Sequence, residues 1–253
     1  MTTRPVQAPR VRKSTARPGR PLSRRALLGG AIGVAAVAAG LLVLVTALGG
    51  KSSTPSSGGI VGGAETSALL AGIPQHGNAL GSPKAPVTLV EFADPQCPYC
   101  GEWARGALPD LVRQYVRTGR VRVVFNGMSF VGPDSELALR TALAAGQQNR
   151  LWHVLDLLYR NQGTENTGWV TEGLLAGIGA AVPGLDGPRM LAQRDAPDVS
   201  AALDAAAANA DTHGINSTPS FLAGPTGGRL EAVPVASLDL AGIAPALDRL
   251  LAR

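Results

Sequence analysis

The sequence contains few cysteines, few histidines and few aromatic residues. Of its 253 residues only two are cysteines and three are histidines, and aromatic residues make up 4%. The cysteines, Cys97 and Cys100, lie three positions apart, so no disulfide can join distant parts of the chain while they are paired with each other. Hydrophobic residues make up 45% of the chain, which is enough to build a buried core without disulfide cross-links.

A zinc site is disfavoured by the same scarcity. Structural zinc normally has four protein ligands, and the sequence has no second Cys-x-x-Cys pair. The histidines, His76, His153 and His213, do not show the spacing of metal ligands. We therefore expect neither a bound metal nor a cofactor.

Acidic residues are missing from residues 1–25, which carry eight of the 23 lysines and arginines. The formal net charge of +5 comes from this segment, because the rest of the chain carries 15 − 18 = −3. A nucleic-acid-binding domain needs a basic surface on its folded part, so this function class is disfavoured. The segment is rich in Pro, Arg, Ser and Thr without an apolar pattern, which predicts a disordered cytoplasmic tail.

Residues 26–48 have no charge of either sign. These 23 residues match the roughly 20 that a helix needs to cross a bilayer. The positive charges before them, with only Lys51 just after, predict a single span with a cytoplasmic amino terminus and an extracytoplasmic domain. The length of the span favours a retained anchor, although Val45-Thr46-Ala47 leaves open cleavage to a secreted form. Ser23-Arg24-Arg25 is compatible with twin-arginine export as well as with ordinary topology signals.

The folded domain is predicted to occupy residues 77–253. Residues 49–66 are rich in Gly, Ser and Thr, so residues 49–76 are predicted to form a flexible linker between the membrane and the domain. Val87–Phe92 is rich in β-branched residues and is followed by the turn-forming Asp94-Pro95. This pattern predicts a buried strand.

The two cysteines come just after this strand, at the start of a predicted helix. Pro98 suits the first helical position because it has no amide hydrogen to lose, while Pro109 is predicted to kink the helix and Gly119 to end it. Cys97 is expected to face unpaired amide hydrogens and the positive end of the helix dipole, which favour its thiolate. We expect Cys97 to be the nucleophile and Cys100 the resolving thiol of a redox-active disulfide. A purely structural bridge is disfavoured, because so short a loop constrains little of the unfolded chain.

The predicted strand, Cys97-Pro98-Tyr99-Cys100 and Thr218-Pro219 before a short apolar strand together resemble the DsbA-like branch of the thioredoxin superfamily. The resemblance runs from about Leu80 to the carboxyl terminus. It implies an α/β thioredoxin fold with an inserted helical subdomain, and a cis Pro219 lying against the cysteines. The insertion is predicted at about residues 127–211, since 119 positions separate Cys100 from Pro219. Four helices are predicted there: Ser135–Ala145, Leu151–Tyr159, Thr171–Ala181 and Asp198–Ala210.

The resemblance also implies roles for individual residues. Glu91, six positions before Cys97, would be a buried acid that accepts and returns the proton of Cys100. A surface glutamate at a strand end is the alternative interpretation of Glu91. The other candidate residues are expected to lie beside the sulfur pair and to bind substrate: Pro98, Tyr99, Thr218 and Pro219.

The function expected from these features is oxidation of the thiols of exported proteins. The resemblance implies an integral-membrane, quinone-linked partner that reoxidises the pair. An exported disulfide reductase or isomerase stays open, because it uses the same groups at a different potential. A glutathione-dependent glutaredoxin shares the tetrapeptide but is disfavoured by export and by the insertion. A non-enzymatic, membrane-tethered binding module that does not need the cysteines is an alternative of another class.

Overall fold

A computed structural model of the chain describes residues 59–253. The predicted tail, the predicted span and the first part of the predicted linker lie outside the described residues. Within residues 59–253, no helix combines the length and the apolar character that crossing a membrane requires.

A mixed sheet of six strands forms the centre of the described fold. The strands are β1 (Gln75–His76), β2 (Ala79–Leu80), β3 (Val87–Ala93), β4 (Val121–Gly127), β5 (Ser220–Pro225) and β6 (Glu231–Ala232). Their order in the sheet is β1-β2-β4-β3-β5-β6. The central strand β3 pairs in parallel with β4 and antiparallel with β5. The strand predicted before the cysteines is therefore confirmed as the middle of the sheet.

Helices make up most of the rest of residues 59–253. A short π-helical turn, Val112–Val116, directly follows the α-helix that ends at Leu111. The α-helices are α1 (Gly63–Leu70), α2 (Pro98–Arg105), α3 (Ala107–Leu111), α4 (Pro133–Gly146), α5 (Leu151–Arg160), α6 (Glu172–Ala181), α7 (Gly187–Ala192), α8 (Pro197–Thr212) and α9 (Leu240–Leu251).

The two faces of the sheet pack against different helices. Leu89 and Ala93 of β3 belong to the main hydrophobic core, together with side chains of α2, α5 and α9. Val90 and Phe92 belong to a smaller cluster that includes Ala210 of α8. Because side chains alternate along a strand, Glu91 points to the same face as Leu89 and Ala93. The candidate acid thus lies on the side of the sheet that carries the cysteines.

The helical insertion between β4 and β5 agrees with the prediction for residues 127–211. The four predicted helices correspond to α4, α5, α6 and α8, with ends shifted by a few residues. α7 was not predicted, since its six residues begin with Gly187-Pro188 and are too short to show a helical period. Asp186 starts this helix, because its carboxylate accepts a hydrogen bond from the backbone N–H of Arg189 at 2.9 Å.

The prediction of a flexible linker through residue 76 is wrong for its last part. Residues 63–70 form α1 and residues 75–76 form β1. Leu69 and Leu70 of α1 are buried in the main core, and Thr66 donates a hydrogen bond to the buried carboxylate of Asp156 on α5. These contacts offset the conformational freedom that the Gly- and Ser-rich composition suggests. The folded domain therefore begins before Gly77.

The helix that carries the cysteines is interrupted at Gly106, one turn before the predicted kink at Pro109. Gly106 has φ −96° and ψ −80°, outside helical geometry, and it separates α2 from α3. Pro109 has no N–H for the carbonyl of Arg105, and its ring crowds that carbonyl, so the distortion falls on the preceding turn. Gly119 ends the helical segment in a left-handed conformation with φ 72°, as predicted.

Candidate active site

Cys97 lies directly before α2, at the N-cap position of the helix. Its backbone is extended, with φ −63° and ψ 121°, and Pro98 occupies the first helical position. The N–H of Cys97 donates to the carbonyl of Asp94 at 3.0 Å, and the carbonyl of Cys97 accepts from the N–H of Gly101 at 3.1 Å. This tight turn holds the thiol at the amino end of the helix, where backbone N–H groups lack intrahelical partners.

The two cysteines have opposite acidities. Both are free thiols, and Cys100 is fully buried while Cys97 keeps 7% of its surface exposed. The Cys100 thiol donates a hydrogen bond to the Cys97 sulfur, and with Thr218 and the amides of Tyr99 and Cys100 it lowers the pKa of Cys97 from 9.0 to about 6, against the effect of burial. Burial and the neighbouring Cys97 sulfur raise the pKa of Cys100 far above its ordinary value. At neutral pH the reduced site therefore holds one thiolate and one thiol.

The segment Thr218-Pro219 lies beside the sulfur of Cys97. The Thr218–Pro219 peptide bond is cis, as the resemblance implies. The Cys97 sulfur lies 3.5 Å from the carbonyl oxygen of Thr218, to which it can donate when it is protonated. Pairing of Ser220 in β5 with Phe92 in β3 brings this segment to the end of the sheet where α2 begins. Residues 121 positions apart in the sequence thus meet at one site.

Pro98 and Tyr99 form the exposed side of the site. Both side chains are exposed, and Tyr99 leaves 63% of its surface open, an unusual state for an aromatic residue in this chain. Thr218 and Pro219 are half-buried. The four residues predicted to bind substrate therefore border a surface that a second chain can reach.

Glu91 is buried, not at the surface, with 1% of its area exposed. Burial raises the pKa of Glu91 from 4.5 to about 7, and the nearby Trp103 indole opposes this in part. The Glu91 carboxyl and the Trp103 indole do not form an ordinary hydrogen bond, because Glu91 Oε2 and Trp103 Nε1 are both buried without a hydrogen-bond partner. The Trp103 ring packs on Phe221 of β5 with 4.5 Å between ring centroids. The carboxyl is thus available to take up or release a proton near neutral pH.

Two residues at the end of α5 complete the site and were not assigned a role from the sequence. The Tyr159 hydroxyl donates to the carbonyl of Asp94 at 3.3 Å. Burial, and then the nearby Cys100 and Glu91, raise the pKa of Tyr159 well above its ordinary value, so this phenol stays protonated and can donate its hydrogen bond. Gln162 donates through Nε2 to backbone carbonyls of the turn before α2. Tyr159 and Gln162 lie in a segment that the resemblance covers, but their contacts arise only in the folded chain.

A metal centre is not part of the described site. Among residues 59–253, no group of three or more His, Cys, Asp or Glu side chains could hold a metal ion. The titratable groups predicted for the site are the two cysteine thiols and the buried carboxyl of Glu91, which lie on the same side of the sheet.

Comparison with known families gives the same assignment as the geometry. A family model described as thioredoxin matches residues 75–227, which is more than half of the chain. The chain belongs to this thioredoxin family. The match includes the cysteines, Glu91, the helical insertion and Pro219.

One relative of this thioredoxin-family chain is a probable disulfide bond formation protein D from Bacillus cereus. The two sequences are 37% identical over 102 residues, which cover 40% of this chain and 47% of the relative. The match thus spans about half the length of that relative.

Solved structures share the fold of this thioredoxin-family chain. The oxidised form of BdbD from Bacillus subtilis covers 72% of this chain and 98% of its own, with a TM-score of 0.59 at 21% identity. The alpha-DsbA1 protein of Wolbachia pipientis covers 74% of this chain and 96% of its own, with a TM-score of 0.59 at 18% identity. The architecture is therefore that of a DsbA-like thioredoxin fold with a helical insertion.

Proposed function

We propose that this protein is an extracytoplasmic thiol-disulfide oxidoreductase that oxidises the thiols of exported proteins by exchange at Cys97 and Cys100. The observation that carries the proposal is the contrast between the two thiols at the start of α2. Cys97 keeps part of its surface accessible and has a pKa of about 6, whereas Cys100 is fully buried and stays protonated. A structural disulfide has no need of this difference.

The reaction begins with the oxidised pair. A substrate thiolate attacks the sulfur of Cys97, the bond between Cys97 and Cys100 breaks, and Cys100 leaves with the electron pair and takes up a proton. A second substrate thiolate then attacks the substrate sulfur of the mixed disulfide, and Cys97 leaves as a thiolate. Two electrons pass from the substrate to the enzyme, one proton stays on Cys100 and the other goes to solvent.

Glu91 is proposed to move the proton of Cys100. A carboxyl with a pKa of about 7 can hold a proton or release it at neutral pH, which suits a group that protonates a leaving thiolate. The exposed Pro98 and Tyr99, together with the half-buried Thr218 and Pro219, are proposed to hold the substrate as an extended chain beside Cys97.

The oxidising direction is supported by the stabilised thiolate. A low pKa stabilises the reduced pair and makes Cys97 a good leaving group, and both effects favour transfer of a disulfide to the substrate. The Bacillus cereus relative is named a probable disulfide bond formation protein, which supports the same direction. The reduction potential tests it. A value near the roughly −120 mV of strong oxidants supports oxidation, and a value near the roughly −270 mV of thioredoxin would assign the protein to the reductases.

The proposed setting is the outer side of the cell membrane, with residues 26–48 as the anchor and the amino terminus in the cytoplasm. Release of a secreted form by cleavage of the span is the alternative. In this setting an integral-membrane redox partner would reoxidise the pair, and exported proteins with free thiols would be the substrates. Separation of cell fractions, followed by protease treatment of intact cells, tests the location and the topology together.

Two cysteine variants distinguish the enzyme from a binding module. Cys97→Ser is expected to abolish disulfide formation in a reduced test protein, because the substrate thiolate has no sulfur to attack. Cys100→Ser is expected to accumulate mixed disulfides with substrates, visible on a non-reducing gel, because its Cys97 thiolate can attack the disulfide of an oxidised substrate and displace a substrate thiolate, and no Cys100 thiol is left to release the bound substrate. Full function of the Cys97→Ser variant in cells would instead assign the chain to the non-enzymatic class.

A further inference from the structure

Gln162, just beyond the end of α5, holds the backbone of the turn that presents Cys97. Its Nε2 group donates to the carbonyl of Pro95 at 2.9 Å and to the carbonyl of Cys97 at 3.0 Å. The carbonyl of Cys97 already accepts the first hydrogen bond of α2 from Gly101. One amide side chain thus ties together both sides of the turn that sets the direction of the Cys97 thiol.

These two hydrogen bonds are expected to stabilise the thiolate form of Cys97. Backbone carbonyl oxygens bear partial negative charge, and those of Pro95 and Cys97 belong to the turn that carries the sulfur. A donor on both oxygens reduces their repulsion of a thiolate. It also keeps the free N–H groups at the start of α2 directed at the sulfur.

Gly101 provides an independent indication that this contact requires a close approach. It lies inside α2, where alanine is ordinarily favoured over glycine. A Cβ atom at this position would lie 2.2 Å from Gln162 Oε1 and 2.7 Å from an Arg105 guanidinium nitrogen. The absence of a side chain at residue 101 leaves the space that the Gln162 amide occupies.

We propose that Gln162 is a positioning residue of the redox centre, which stabilises the Cys97 thiolate by donating to the carbonyls of Pro95 and Cys97. The effect of Gln162 on catalysis rests on the function proposed above. Without Gln162, the reduced pair loses part of its stabilisation and the protein becomes a weaker oxidant.

The test measures the pKa of Cys97 in the reduced full chain from the ultraviolet absorbance of its thiolate. Gln162→Ala is expected to raise this pKa by up to about one unit, because the two carbonyl oxygens lose their donor and repel the thiolate more strongly. Gln162→Glu keeps the shape of the side chain but replaces the donor with a negative charge, so a larger rise is expected. Gly101→Ala keeps Gln162 and displaces its amide, and it is expected to change the pKa in the same direction.

Gln148→Ala is the matched control. Gln148 also clamps a backbone segment with its amide, donating to the carbonyl of Asp186 at 3.1 Å and accepting from the N–H of Asp186 at 2.9 Å. This clamp joins the end of α4 to the start of α7 and makes no contact with the cysteines. The variant is expected to lower the melting temperature while leaving the pKa of Cys97 at its wild-type value.

An unchanged pKa of Cys97 in both Gln162→Ala and Gly101→Ala, each folded by circular dichroism, would overturn the positioning role. An equal rise in Gln148→Ala would overturn it too, since the change would then reflect a general loss of stability. The titration uses no substrate, so it separates this inference from the proposed function. A wild type that fails to oxidise thiols but shows the expected titration would refute only the oxidase.

Discussion

Cys97 and Cys100 differ in acidity because of where their sulfur atoms lie. The sulfur of Cys97 receives hydrogen bonds at the start of α2, and the sulfur of Cys100 is removed from water in the core. Both residues were recognised from the sequence, but the sequence could not assign the size of this difference. It depends on Thr218 and on burial by α5, both distant along the chain.

Alkylation of the reduced protein is expected to follow the thiolate fraction of Cys97. The rate with iodoacetamide should rise with pH around a midpoint of about 6 and change little above about pH 7.5, whereas an ordinary thiol has its midpoint near 8.5. Replacement of Cys100 by alanine should move the midpoint upward, because it removes the hydrogen bond that contributes most to the low pKa of Cys97. A wild-type midpoint at or above 8 would contradict the stabilised thiolate.

Glu91 is expected to make the stability of the protein depend on pH. Its folded pKa of about 7 exceeds its ordinary value of 4.5, so the folded state keeps a proton that the unfolded chain has lost. Its contribution is fully present below about pH 4.5 and is lost as the pH rises through about 7, a change of about 3 kcal/mol. Glu91→Gln, which stays neutral, should be about as stable as the wild type at pH 5 and more stable at pH 8.

Urea unfolding of both proteins at pH 5 and pH 8 measures this difference. The thiol groups should be alkylated in both samples, so that titration of Cys97 does not contribute. If the two proteins lose the same stability between these pH values, the carboxyl of Glu91 is already ionised in the folded protein at pH 5.

At the scale of secondary structure, α5 connects the start of the described domain to the site. Its Asp156 carboxylate binds Thr66 of α1 and pairs with Arg160 at 2.7 Å, and the segment just beyond its last turn carries Gln162. The apolar periodicity of residues 151–159 predicted this helix correctly. Its two polar contacts could not be predicted, because a helical period shows which face is buried but not which partner it meets.

Thr66→Val is expected to destabilise the protein by about 1–3 kcal/mol. The variant keeps the shape of the side chain but removes the hydroxyl donor from a buried carboxylate that already has one oxygen without a partner. Ser67→Ala is the control on the same helix, since the Ser67 hydroxyl only donates to Gly63 of its own helix at 2.8 Å. The control should change the free energy of unfolding by less than about 0.5 kcal/mol in the same denaturant titration. Equal effects of the two variants would show that α1 is not held by Asp156.

At the scale of the whole molecule, the redox state of the cysteine pair is expected to set the stability of the fold. The reduced form gains from a stabilised Cys97 thiolate, and the disulfide closes too short a loop to stabilise the oxidised form much. At pH 7.5 the reduced protein should melt higher than the oxidised one by about 5 °C, the effect of about 2 kcal/mol in a domain of this size.

Calorimetry of both forms at pH 7.5 and pH 5 checks this expectation. The difference should shrink at pH 5, where Cys97 is protonated. A more stable oxidised form at both pH values would argue against an oxidant and for a reductase.

The strand before the cysteines, the main helices of the insertion and the two candidate redox cysteines could all be predicted from the sequence alone. These features depend on local pattern: β-branched residues between turn signals, helical periodicity, and Pro98 directly after Cys97. The family resemblance added the cis Pro219 and the buried Glu91. The linker prediction is wrong for residues 63–76. A Gly- and Ser-rich composition indicates a flexible backbone, but it does not show whether the segment can pack against the rest of the domain.

The groups that surround the two sulfur atoms could be identified only from the folded chain. The pairing of β3 with β5 brings Thr218 to Cys97, and the packing of α5 brings Tyr159 and Gln162 to the turn before α2. Acidity and proton transfer depend on burial and on distances of a few ångströms between residues far apart in sequence. A sequence pattern does not contain those distances. The sequence therefore identifies the candidate reactive atoms, and the fold determines their acidity and their proton transfer.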